Sequence, residues 1–380
     1  MKALEFLYYL GYSIKKRYAL RNQKSLSRKV ICLGNITLGG TGKTPATIAL
    51  AEEAKKRGFK PCILTRGYKG RAKGPCFVSR GEGPLLDEYQ AGDEALLMAE
   101  KLKGIPIVKG KDRYEAGMFA IQNLKSQIPD LGSILFILDD GFQHWGLARD
   151  RDILLIDSIN PFGNRRLLPL GSLREPIGAI NRADIIVITK TDKTRNQSPS
   201  ATRRGDKSEA PPTHPSPSRG EGEGEGDRSQ QSIINSLIDE IRQCNTKAQI
   251  FSAEHKPSKF IAAFRNRGAI NRDIMPSKWA EGKSFFGFCG IGNPISFKET
   301  LLSVDIELKG FKTFRDHYRY NQDDIQLITK DAEKCGAEWI VTTEKDIMRL
   351  KGLSLPDNLV SLAIEFSVDD GFYEEVFKYL

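Results

Sequence analysis

The amino-acid sequence predicts an α/β protein with a large parallel-sheet domain, a second and smaller α/β domain, and a separate N-terminal helix. Short apolar segments alternate with longer helix-like segments through residues 28–192, and this alternation predicts a parallel sheet with helices on both faces. A glycine-rich segment, residues 37–44, lies between the first apolar segment and a helix with Pro45 in its first turn. Ligands of such sheets bind at the carboxyl ends of the strands, where this segment lies.

The first 25 residues are expected to form the separate helix. Residues 3–12 are apolar and aromatic, too short to span a bilayer, and no small-residue cleavage site follows them. The basic residues that follow are Lys15, Lys16, Arg17, Arg21 and Lys24. An apolar helix with a basic flank suits the surface of an anionic membrane. Docking on the protein's own core is the alternative that these residues leave open.

Apolar segments are expected to form the strands of both domains. In the large domain they are residues 30–33, 62–65, 105–108, 134–138, 153–156 and 185–188. In the small domain they are residues 249–252, 285–289 and 339–342.

Residues 37–44 read TLGGTGKT and carry the sequence of a P-loop. Strand, glycine-rich loop, Gly-Lys-Thr and helix form the phosphate cradle of P-loop NTPases, in which backbone N–H groups and the helix N-terminus hold a polyphosphate. We expect Lys43 to reach the β- and γ-phosphates and the Thr44 hydroxyl to bind Mg²⁺. The residues expected to contact the nucleotide are Thr37, Leu38, Gly39, Gly40, Thr41, Gly42, Lys43 and Thr44.

Thr37 departs from the P-loop pattern, which has glycine at that position. Gly39 and Gly40 still give the loop backbone freedom. An ordinary glycine-rich turn is the alternative, and it is less favoured because Gly-Lys-Thr stands in the strand–helix context that the motif requires.

Two segments bring carboxylates to the ends of predicted elements. Asp93 and Glu94 open an apolar helix; an aspartate there is commonly an N-cap, which explains one of them but not both. The apolar strand 134–138 ends in Asp139 and Asp140. A Walker B strand likewise delivers an aspartate beside the P-loop threonine to hold Mg²⁺.

Histidine is rare in this chain, with four residues in all. His144 follows Gln143 at the end of the Walker B-like strand, and His317 follows Asp316 in an aromatic and basic stretch. From spacing alone, His144 is equally well explained as a backbone-bonded loop residue, and His317 is better explained as structural than as catalytic.

Residues 189–192 (TKTD) follow the strand predicted at 185–188 and resemble the guanine-reading loop of GTPases. A P-loop GTPase that uses these residues for guanine is therefore the main alternative to an ATP-binding protein. The motif fixes only a lysine and an aspartate, and Thr37 also departs from a standard GTPase. A nucleotide-binding module without catalysis is the third possibility.

The chain changes character at residue 195. Residues 195–232 contain no Val, Ile, Leu, Phe, Tyr, Trp, Met or Cys, so they are predicted to be a disordered low-complexity insertion. We therefore divide the chain into an N-terminal helix, a P-loop domain, the insertion and a C-terminal α/β domain, at residues 1–25, 26–194, 195–232 and 233–380.

Composition limits the classes of partner. The 380 residues suffice for two domains, and the net charge of +10 favours a nucleotide, a nucleic acid or an acidic membrane surface. The six cysteines include no C-x-x-C pair, which predicts reduced thiols rather than disulfides or a zinc site. The sequence contains no run of roughly 18 apolar residues, so no membrane-spanning helix is predicted.

Taken together, these residues resemble one family, the tetraacyldisaccharide 4'-kinases, which phosphorylate the lipid A precursor. The resemblance covers nearly the whole chain except the insertion, where family members usually carry a short connection. The motifs that carry it are residues 34–45 (GNITLGGTGKTP), 65–68 (TRGY), 92–94 (GDE), 139–144 (DDGFQH), 163–169 (GNRRLLP), 173–176 (LREP), 290–294 (GIGNP), 316–317 (DH) and 343–346 (TEKD).

The resemblance implies an activity. The γ-phosphoryl group of ATP would pass, with Mg²⁺, to the 4'-hydroxyl of a tetra-acylated glucosamine disaccharide 1-phosphate, giving lipid IVA. It further implies two α/β/α domains with the site in the cleft between them. The N-terminal helix would hold the enzyme peripherally on the anionic cytoplasmic face of the bacterial inner membrane, and no nucleic acid is expected among its partners.

The resemblance also implies site residues. Lys43 would stabilise the phosphates, and Asp93, paired with His317 of the second domain, would act as the base. The candidate metal ligands are Thr44, Asp139, Gln143 and Glu175. The candidate basic contacts to phosphate are Arg66, Arg113 and Arg174.

Overall fold

The computed structural model describes residues 3–67, 70–71, 73–125, 131–192, 224–262, 264–266, 269–271 and 273–380. Tyr68 of the TRGY motif and residues 195–223 of the predicted insertion lie outside these residues.

Helices and strands alternate along the described chain. The elements up to the insertion are α1 (Ala3–Arg21), β1 (Lys29–Gly34), α2 (Lys43–Lys56), β2 (Lys60–Thr65), β3 (Cys76–Ser79), α3 (Glu88–Ala91), α4 (Asp93–Lys101), β4 (Ile107–Lys109), α5 (Arg113–Leu124), β5 (Ile134–Leu138), β6 (Arg151–Asp157) and β7 (Ile185–Thr189). The later elements are α6 (Gly224–Cys244), β8 (Gln249–Ala262), β9 (Phe264–Asn266), β10 (Ala269–Asn271), β11 (Ile274–Pro276), β12 (Ser284–Cys289), α7 (Pro294–Leu302), β13 (Glu307–Thr313), α8 (Gln322–Lys334), β14 (Trp339–Thr343), α9 (Glu344–Arg349), β15 (Leu359–Val368) and α10 (Gly371–Phe377). Short 3-10 helices lie at Leu131–Ser133, Ile177–Arg182 and Ser277–Ala280.

One sheet of 13 strands runs through both halves of the described chain, in the order β13-β12-β14-β15-β8-β7-β6-β1-β5-β2-β4-β3, with β11 against β8. The first-half strands β2, β5, β1, β6 and β7 are parallel to their neighbours, and β12, β13, β14 and β15 of the second half are parallel to one another. Antiparallel pairs occur between β3 and β4, and where β8 meets β15 and β11. The sheet is thus mixed and mostly parallel.

The long strand β8 joins the two halves. Its residues 249–253 pair in parallel with β7, whereas residues 253–262 pair antiparallel with β15. β8 therefore extends past the carboxyl edge of the first half before β15 pairs with it. β15 and the strands parallel to it run in the direction opposite to β8, toward that edge. As a result, the carboxyl ends of strands from both halves face each other, with a cleft between them.

The central strands of the first half are buried on both faces. Ile31 and Leu33 of β1 pack in the core that includes α2 and α4, while Val30 and Cys32 pack in the core that includes α5. Because successive strand residues point to opposite faces, this alternation places helices on both sides of the sheet, as the sequence predicted.

The strands predicted for the large domain are present. The segments 30–33, 62–65, 134–138, 153–156 and 185–188 lie within β1, β2, β5, β6 and β7. Only β4 is displaced, since it begins at Ile107 rather than at residue 105. Pro106 precedes it, and proline cannot donate a backbone hydrogen bond to a sheet.

The second half contains strands that the sequence did not reveal, namely β9, β10, β11, β13 and β15, and β8 is much longer than predicted. β13 reads ELKGFKT and is largely half-exposed at the sheet edge, so it lacks the apolar run of a buried strand. Within β8, residues 256–259 (KPSK) resemble a turn, but the strand continues through them. Pro257 lies where the pairing with β15 shifts register, which is the kind of position that tolerates proline.

The predicted insertion ended at residue 232, but helix α6 already begins at Gly224. Ile234, Leu237 and Ile241 of α6 pack in a core with Leu154 and other side chains of the first half. This helix therefore packs with the P-loop half, although the sequence assigned it to a domain of residues 233–380. The division into domains itself stays a prediction.

Asn245 connects α6 to the first half, and we expect Asn245→Ala to lower the free energy of unfolding by about 2–4 kcal/mol. Its buried amide donates to the carbonyl oxygens of Ile180 and Ala183, and its oxygen accepts from the N–H groups of residues 247 and 248, all at 2.8–3.0 Å. The exposed Asn123, which donates only to Phe119 O, provides the control. Equal losses for Asn245→Ala and Asn123→Ala in urea unfolding would contradict the prediction.

Candidate active site

The glycines of the P-loop are required by its backbone and by a neighbouring ring. Gly39 and Gly42 have φ angles of 126° and 82°, in the left-handed region that glycine adopts without strain. A Cβ atom on Gly42 would lie 2.1 Å from Cε1 and Nε2 of His255 on β8. Only glycine therefore fits at position 42.

Thr37 lies in extended backbone paired with another segment. It forms an isolated antiparallel bridge with Leu173. The N–H of Leu38 donates to Ser172 O at 2.7 Å, and the N–H of Arg174 donates to Ile36 O at 2.8 Å. Because this pairing needs an extended residue rather than a sharp turn, the departure from glycine at position 37 has a structural reason.

The P-loop lines a cleft of about 1300 Å³ between the two halves. Lys43 Nζ lies 3.2 Å from Asn35 Oδ1 and 3.7 Å from Asp140 Oδ1. Of the residues predicted to contact the nucleotide, those that line the cleft are Leu38, Gly39, Gly40, Thr41, Gly42, Lys43 and Thr44. Thr37 is not among the lining residues.

Asp139 is a buried carboxylate that faces the cleft. Thr47 Oγ1 donates to one of its oxygens at 3.2 Å, and Thr65 Oγ1 donates to the other at 3.0 Å. Burial, together with the charges of Glu94 and Asp140, raises the pKa of Asp139 to about 6. A buried carboxylate close to two other anions has the chemistry of a ligand for a divalent cation.

Asp140 has the opposite electrostatic setting. Its oxygens each lie 2.9 Å from Arg174 Nη1, and Lys43 lies nearby. Burial alone would raise the pKa of this carboxyl, but Lys43 and Arg174 lower the pKa below its usual value. The two adjacent aspartates are therefore unlike, since Asp140 is neutralised by protein cations.

Glu175, one of the predicted metal ligands, is engaged by protein donors. It is fully buried and paired with Arg182. Gln143 Nε2 donates to its Oε1 at 2.8 Å, and the Tyr12 hydroxyl of α1 donates to its Oε2 at 3.0 Å. Because these donors already neutralise and occupy the carboxylate, the geometry favours a supporting role rather than direct metal binding.

Three of the predicted metal ligands line the cleft, namely Thr44, Asp139 and Gln143, whereas Glu175 does not. Among the described residues, no group of three or more His, Cys, Asp or Glu side chains could hold a metal ion. Mg²⁺ in phosphoryl-transfer sites is held by one or two protein oxygens together with substrate phosphates. A threonine hydroxyl and a buried carboxylate on one cleft fit that donor set.

The predicted pair of Asp93 and His317 is present. His317 Nδ1 lies 2.9 Å from Asp93 Oδ2, which joins α4 of the first half to the turn after β13 in the second. Arg349 of α9 binds the same oxygen, with Nε at 3.1 Å. Burial opposes the charge, but His317 and Arg349 hold the pKa of Asp93 well below its usual range.

Arg349 is itself fixed by the second half. Its Nη1 donates to Gly290 O at 2.7 Å and to Asp346 Oδ1 at 2.9 Å. Tyr320 and Thr343 hydroxyls also donate to Asp346. The GIGNP and TEKD motifs thus meet at one buried guanidinium, which explains two motifs to which the sequence assigned no function.

Ion pairs between α4 and α9 hold the two sides of the cleft together. Glu94 pairs with Lys345, which lowers the pKa of Glu94. Lys101 pairs with Glu344 at 2.7 Å. Glu94 is therefore part of the interface, while its neighbour Asp93 holds His317.

The basic candidates differ in their surroundings. Arg66 and Arg174 line the cleft, but Arg113 is buried and donates to the carbonyl oxygens of Gly110 and Asp139. These bonds favour a structural role for Arg113, and its part in binding phosphate stays a prediction. Burial and the charge of Arg113 lower the pKa of His144 to about 4. The backbone N–H of Arg113 donates to Nε2 of His144 at 3.3 Å. The surroundings of His144 are therefore those of a structural loop residue.

The TKTD segment supports the P-loop. Thr189 Oγ1 donates to Thr41 O at 3.1 Å, and Lys190 is buried in an ion pair with Asp157. Thr191 Oγ1 donates to Ala253 O of β8 at 3.2 Å, and Asp192 Oδ1 accepts from the N–H of His255. These contacts tie the P-loop to β8 and account for the motif without guanine.

Sequence reasoning missed Arg349, Arg182 and His255, although all three hold functional segments. The i, i+3 spacing of Asp346 and Arg349 on a helix was a usable sign of their pairing. The partners of His255 are distant in the chain, and Arg182 pairs with Glu175 seven residues earlier, across a proline and a short 3-10 helix, so no regular spacing marks either residue.

Comparison with known proteins gives a consistent result. A model of the family described as tetraacyldisaccharide-1-P 4'-kinase (LpxK) matches residues 1–380. A tetraacyldisaccharide 4'-kinase of Syntrophus aciditrophicus is 35% identical over 349 residues, which cover 90% of this chain and 82% of that protein. A protein of the same name from Desulfotalea psychrophila is 31% identical over 392 residues, which cover 100% and 98% of the two chains.

Solved structures agree on the fold. LpxK from Aquifex aeolicus, crystallised with ATP, is similar with a TM-score of 0.67 and 25% identity over 98% of this chain and 96% of that one. This likeness confirms the predicted α/β class, with a sheet that is mixed and mostly parallel rather than wholly parallel. The GTPase YjiA has a TM-score of only 0.30 and 12% identity over 60% of this chain, a level that carries no argument for a GTPase.

The unlike aspartates predict unfolding effects of opposite sign in protein kept free of nucleotide and divalent cations with EDTA. Because the pKa of Asp139 lies about two units above its ordinary value, its charge at pH 7 costs up to about 3 kcal/mol, and this cost vanishes as the pH falls from about 6 to 4. Asp139→Asn should therefore stabilise the fold at pH 7.

Asp140→Asn is the matched control. Its pKa is lowered, so its charge stabilises the folded protein above the ordinary aspartate pKa, and that contribution is lost on acidification. We expect Asp140→Asn to destabilise the protein at pH 7. Urea unfolding that moves in the same direction for both variants would contradict this assignment.

Proposed function

Since this chain belongs to the tetraacyldisaccharide-1-P 4'-kinase family, we propose that it passes the γ-phosphoryl group of ATP to the 4'-hydroxyl of a tetra-acylated glucosamine disaccharide 1-phosphate. It is an ATP-dependent kinase of lipid A synthesis, and the product of this transfer is lipid IVA. The observation that best supports the reaction is one cleft lined by both the P-loop lysine Lys43 and the imidazole of His317.

Binding of the ATP phosphates is assigned to residues of the first half. Phosphoryl transfer depends on positioning and on stabilising charge, with little covalent chemistry from the protein. Lys43, the loop N–H groups and the N-terminus of α2 would bind the β- and γ-phosphates. Arg174 lies beside Lys43 and Asp140, where a guanidinium can also bind a phosphate oxygen.

The metal would be held on the same side of the cleft. The Thr44 hydroxyl and the Asp139 carboxylate are its proposed ligands, because both residues line the cleft and a cation would offset the burial and the neighbouring anions that raise the pKa of Asp139. Mg²⁺ bound there would neutralise negative charge on the transferring phosphates. Gln143 and Glu175 would support this side of the site from behind, through their bonds to each other and to Asn35 O.

Removal of the proton from the attacking hydroxyl is assigned to the Asp93–His317 pair. Asp93 is buried and does not line the cleft, whereas His317 does. Nδ1 of the ring is bound to Asp93, and Nε2, which lies 3.8 Å from Asp316 Oδ1, would accept the proton of the substrate. Asp93 would orient the ring and stabilise the imidazolium that forms, as a carboxylate does in a catalytic triad.

Helix α1 is proposed to rest on an anionic membrane surface, at the cytoplasmic face of the inner membrane. One side of the helix exposes large apolar side chains, namely Leu4, Phe6, Leu7, Leu10, Ile14 and Tyr18. Basic side chains follow along the helix, and cations attract acidic headgroups. None of the described helices is long and apolar enough to cross a bilayer, so this contact would be peripheral.

Transfer of labelled phosphate from ATP to the purified acceptor, followed by mass spectrometry of the product, tests the reaction. We expect Asp93→Ala and His317→Ala to lower kcat by at least about 10²-fold with little change in ATP affinity, since neither residue belongs to the P-loop. Asp87→Ala, which removes a true N-cap from α3, controls for the loss of a helix cap. Near-normal turnover of Asp93→Ala would remove the pair from this role.

The same assay separates the other classes of function. A GTPase would hydrolyse GTP and leave the acceptor unmodified. A nucleotide-binding module would bind ATP without transferring phosphate. Either result would contradict the proposed reaction.

Charge placed on the exposed side of α1 should weaken membrane binding. We expect Leu7→Glu combined with Ile14→Glu to lower co-sedimentation with phosphatidylglycerol vesicles by at least about 10-fold, because both side chains would lose apolar contact with the bilayer. Leu327→Glu on α8, at a similarly exposed apolar position, is the control. Unchanged sedimentation of the α1 variant would mean that the helix does not bind membranes.

A further inference from the structure

The inward side of α1 contacts the loop that runs beside the P-loop. Glu5, Tyr8 and Tyr12 are spaced i, i+3 and i+7, so they lie on one side of the helix. Glu5 is buried and binds Arg166 through both carboxylate oxygens, at 3.1 and 2.9 Å. The Tyr8 hydroxyl donates to Arg174 O at 2.8 Å, next to the bond from Tyr12 to Glu175.

The other side of this loop contacts the phosphate site. Residues 172–174 pair with residues 36–38 of the P-loop, and Arg174 holds Asp140. Glu175 binds Gln143, whose amide also donates to Asn35 O at 2.8 Å. A continuous set of hydrogen bonds therefore runs from the Tyr12 hydroxyl through Glu175, Gln143 and Asn35 to the ammonium group of Lys43.

The two tyrosines make these bonds through hydroxyl groups that remain donors. Burial and the neighbouring Glu175 raise the pKa of Tyr8 and of Tyr12 above the usual tyrosine value, so both stay protonated across the physiological range. The Tyr12 ring meets Trp145 edge to face at 5.4 Å between centroids. A phenylalanine at either position would keep the ring packing and remove only the hydrogen bonds of the hydroxyl, which at position 12 include one accepted from Lys16 Nζ at 3.3 Å.

We propose that Tyr8 and Tyr12 are positioning residues for phosphoryl transfer, which hold the 172–175 segment against the P-loop so that Arg174 stands correctly beside the phosphates and Glu175 holds Gln143 behind them. This proposal rests on the proposed kinase function and extends it. Helix α1 then has two functions on opposite sides: one side binds the membrane, and the other side positions the segment beside the phosphate site. A helix that served only as an anchor would not need hydroxyl groups on its inward side.

The test uses full-length protein carrying both Tyr8→Phe and Tyr12→Phe. The matched control carries Tyr9→Phe on α1 and Tyr379→Phe near the end of the chain, which also removes two tyrosine hydroxyls, but from exposed positions. Kinetics are measured with the acceptor dispersed in nonionic detergent, where membrane binding is irrelevant, and again in phosphatidylglycerol vesicles. Vesicle sedimentation and thermal unfolding are recorded for each protein.

We expect the Tyr8/Tyr12 variant to lose about 10-fold or more in kcat under both conditions, because small misplacements of positioning groups are costly. Its KM for the acceptor and its vesicle binding should match the wild type, and the control should stay within about twofold. A kcat near the wild-type value in detergent would overturn the proposal. A loss seen only in vesicles and in proportion to bound protein would also overturn it, since α1 would then act as an anchor alone.

Amide hydrogen exchange supplies a readout that does not depend on the acceptor. The N–H groups of Leu38 and Arg174 are bonded across the paired segments, so their exchange should quicken in the Tyr8/Tyr12 variant and not in the control. Unchanged exchange would contradict the positioning role. A wild-type protein that fails to phosphorylate the disaccharide would contradict the proposed function, and the exchange result would still decide the role of the tyrosines.

Discussion

The double pairing of strand β8 is the constraint on which the rest of the structure depends. A parallel sheet normally delivers its functional loops to one edge, and a second parallel sheet joined to it antiparallel would send its own loops away. Here β8 is long enough to pair with β7 through its first residues and with β15 through its last ones. The two carboxyl edges therefore face each other, and the P-loop and His317 reach the same cleft.

A buried ion pair fixes this arrangement at the reacting centre. The side chains of Asp93 and Arg349 are both almost fully buried, and burying two charges is costly unless every donor and acceptor is satisfied. Gly290 O and Asp346 meet that requirement for the guanidinium, while His317 meets it for the carboxylate. Such a pair specifies geometry more than it adds stability, which suits a residue that must hold an imidazole in one orientation.

The sequence predicted the parts of the molecule that have local signatures. β5 lies at the predicted residues because five consecutive apolar residues precede two aspartates, and the P-loop could be located from its glycines and its lysine. The pairing of Asp93 with His317 came from family resemblance, since nothing local connects residues so far apart. Tyr8 and Tyr12 escaped notice because their partners lie in other segments of the chain, and periodicity shows only which side of a helix is apolar. The bond of Arg349 to Asp93 also joins distant elements, although its spacing from Asp346 was a usable local sign. β13 was missed because an edge strand can be built from charged residues.

The conformation of the P-loop at Thr37 depends on two separate segments of the chain. The extended conformation of Thr37 is held by residues 172–174, which lie far along the sequence. Grafting residues 37–44 alone onto another P-loop protein would carry over the residues but not the shape they adopt here. A search pattern that demands glycine at the first position would likewise pass over this chain, because the information that replaces the glycine is stored elsewhere. The smallest transferable unit of this phosphate site is therefore a pair of segments, not a motif.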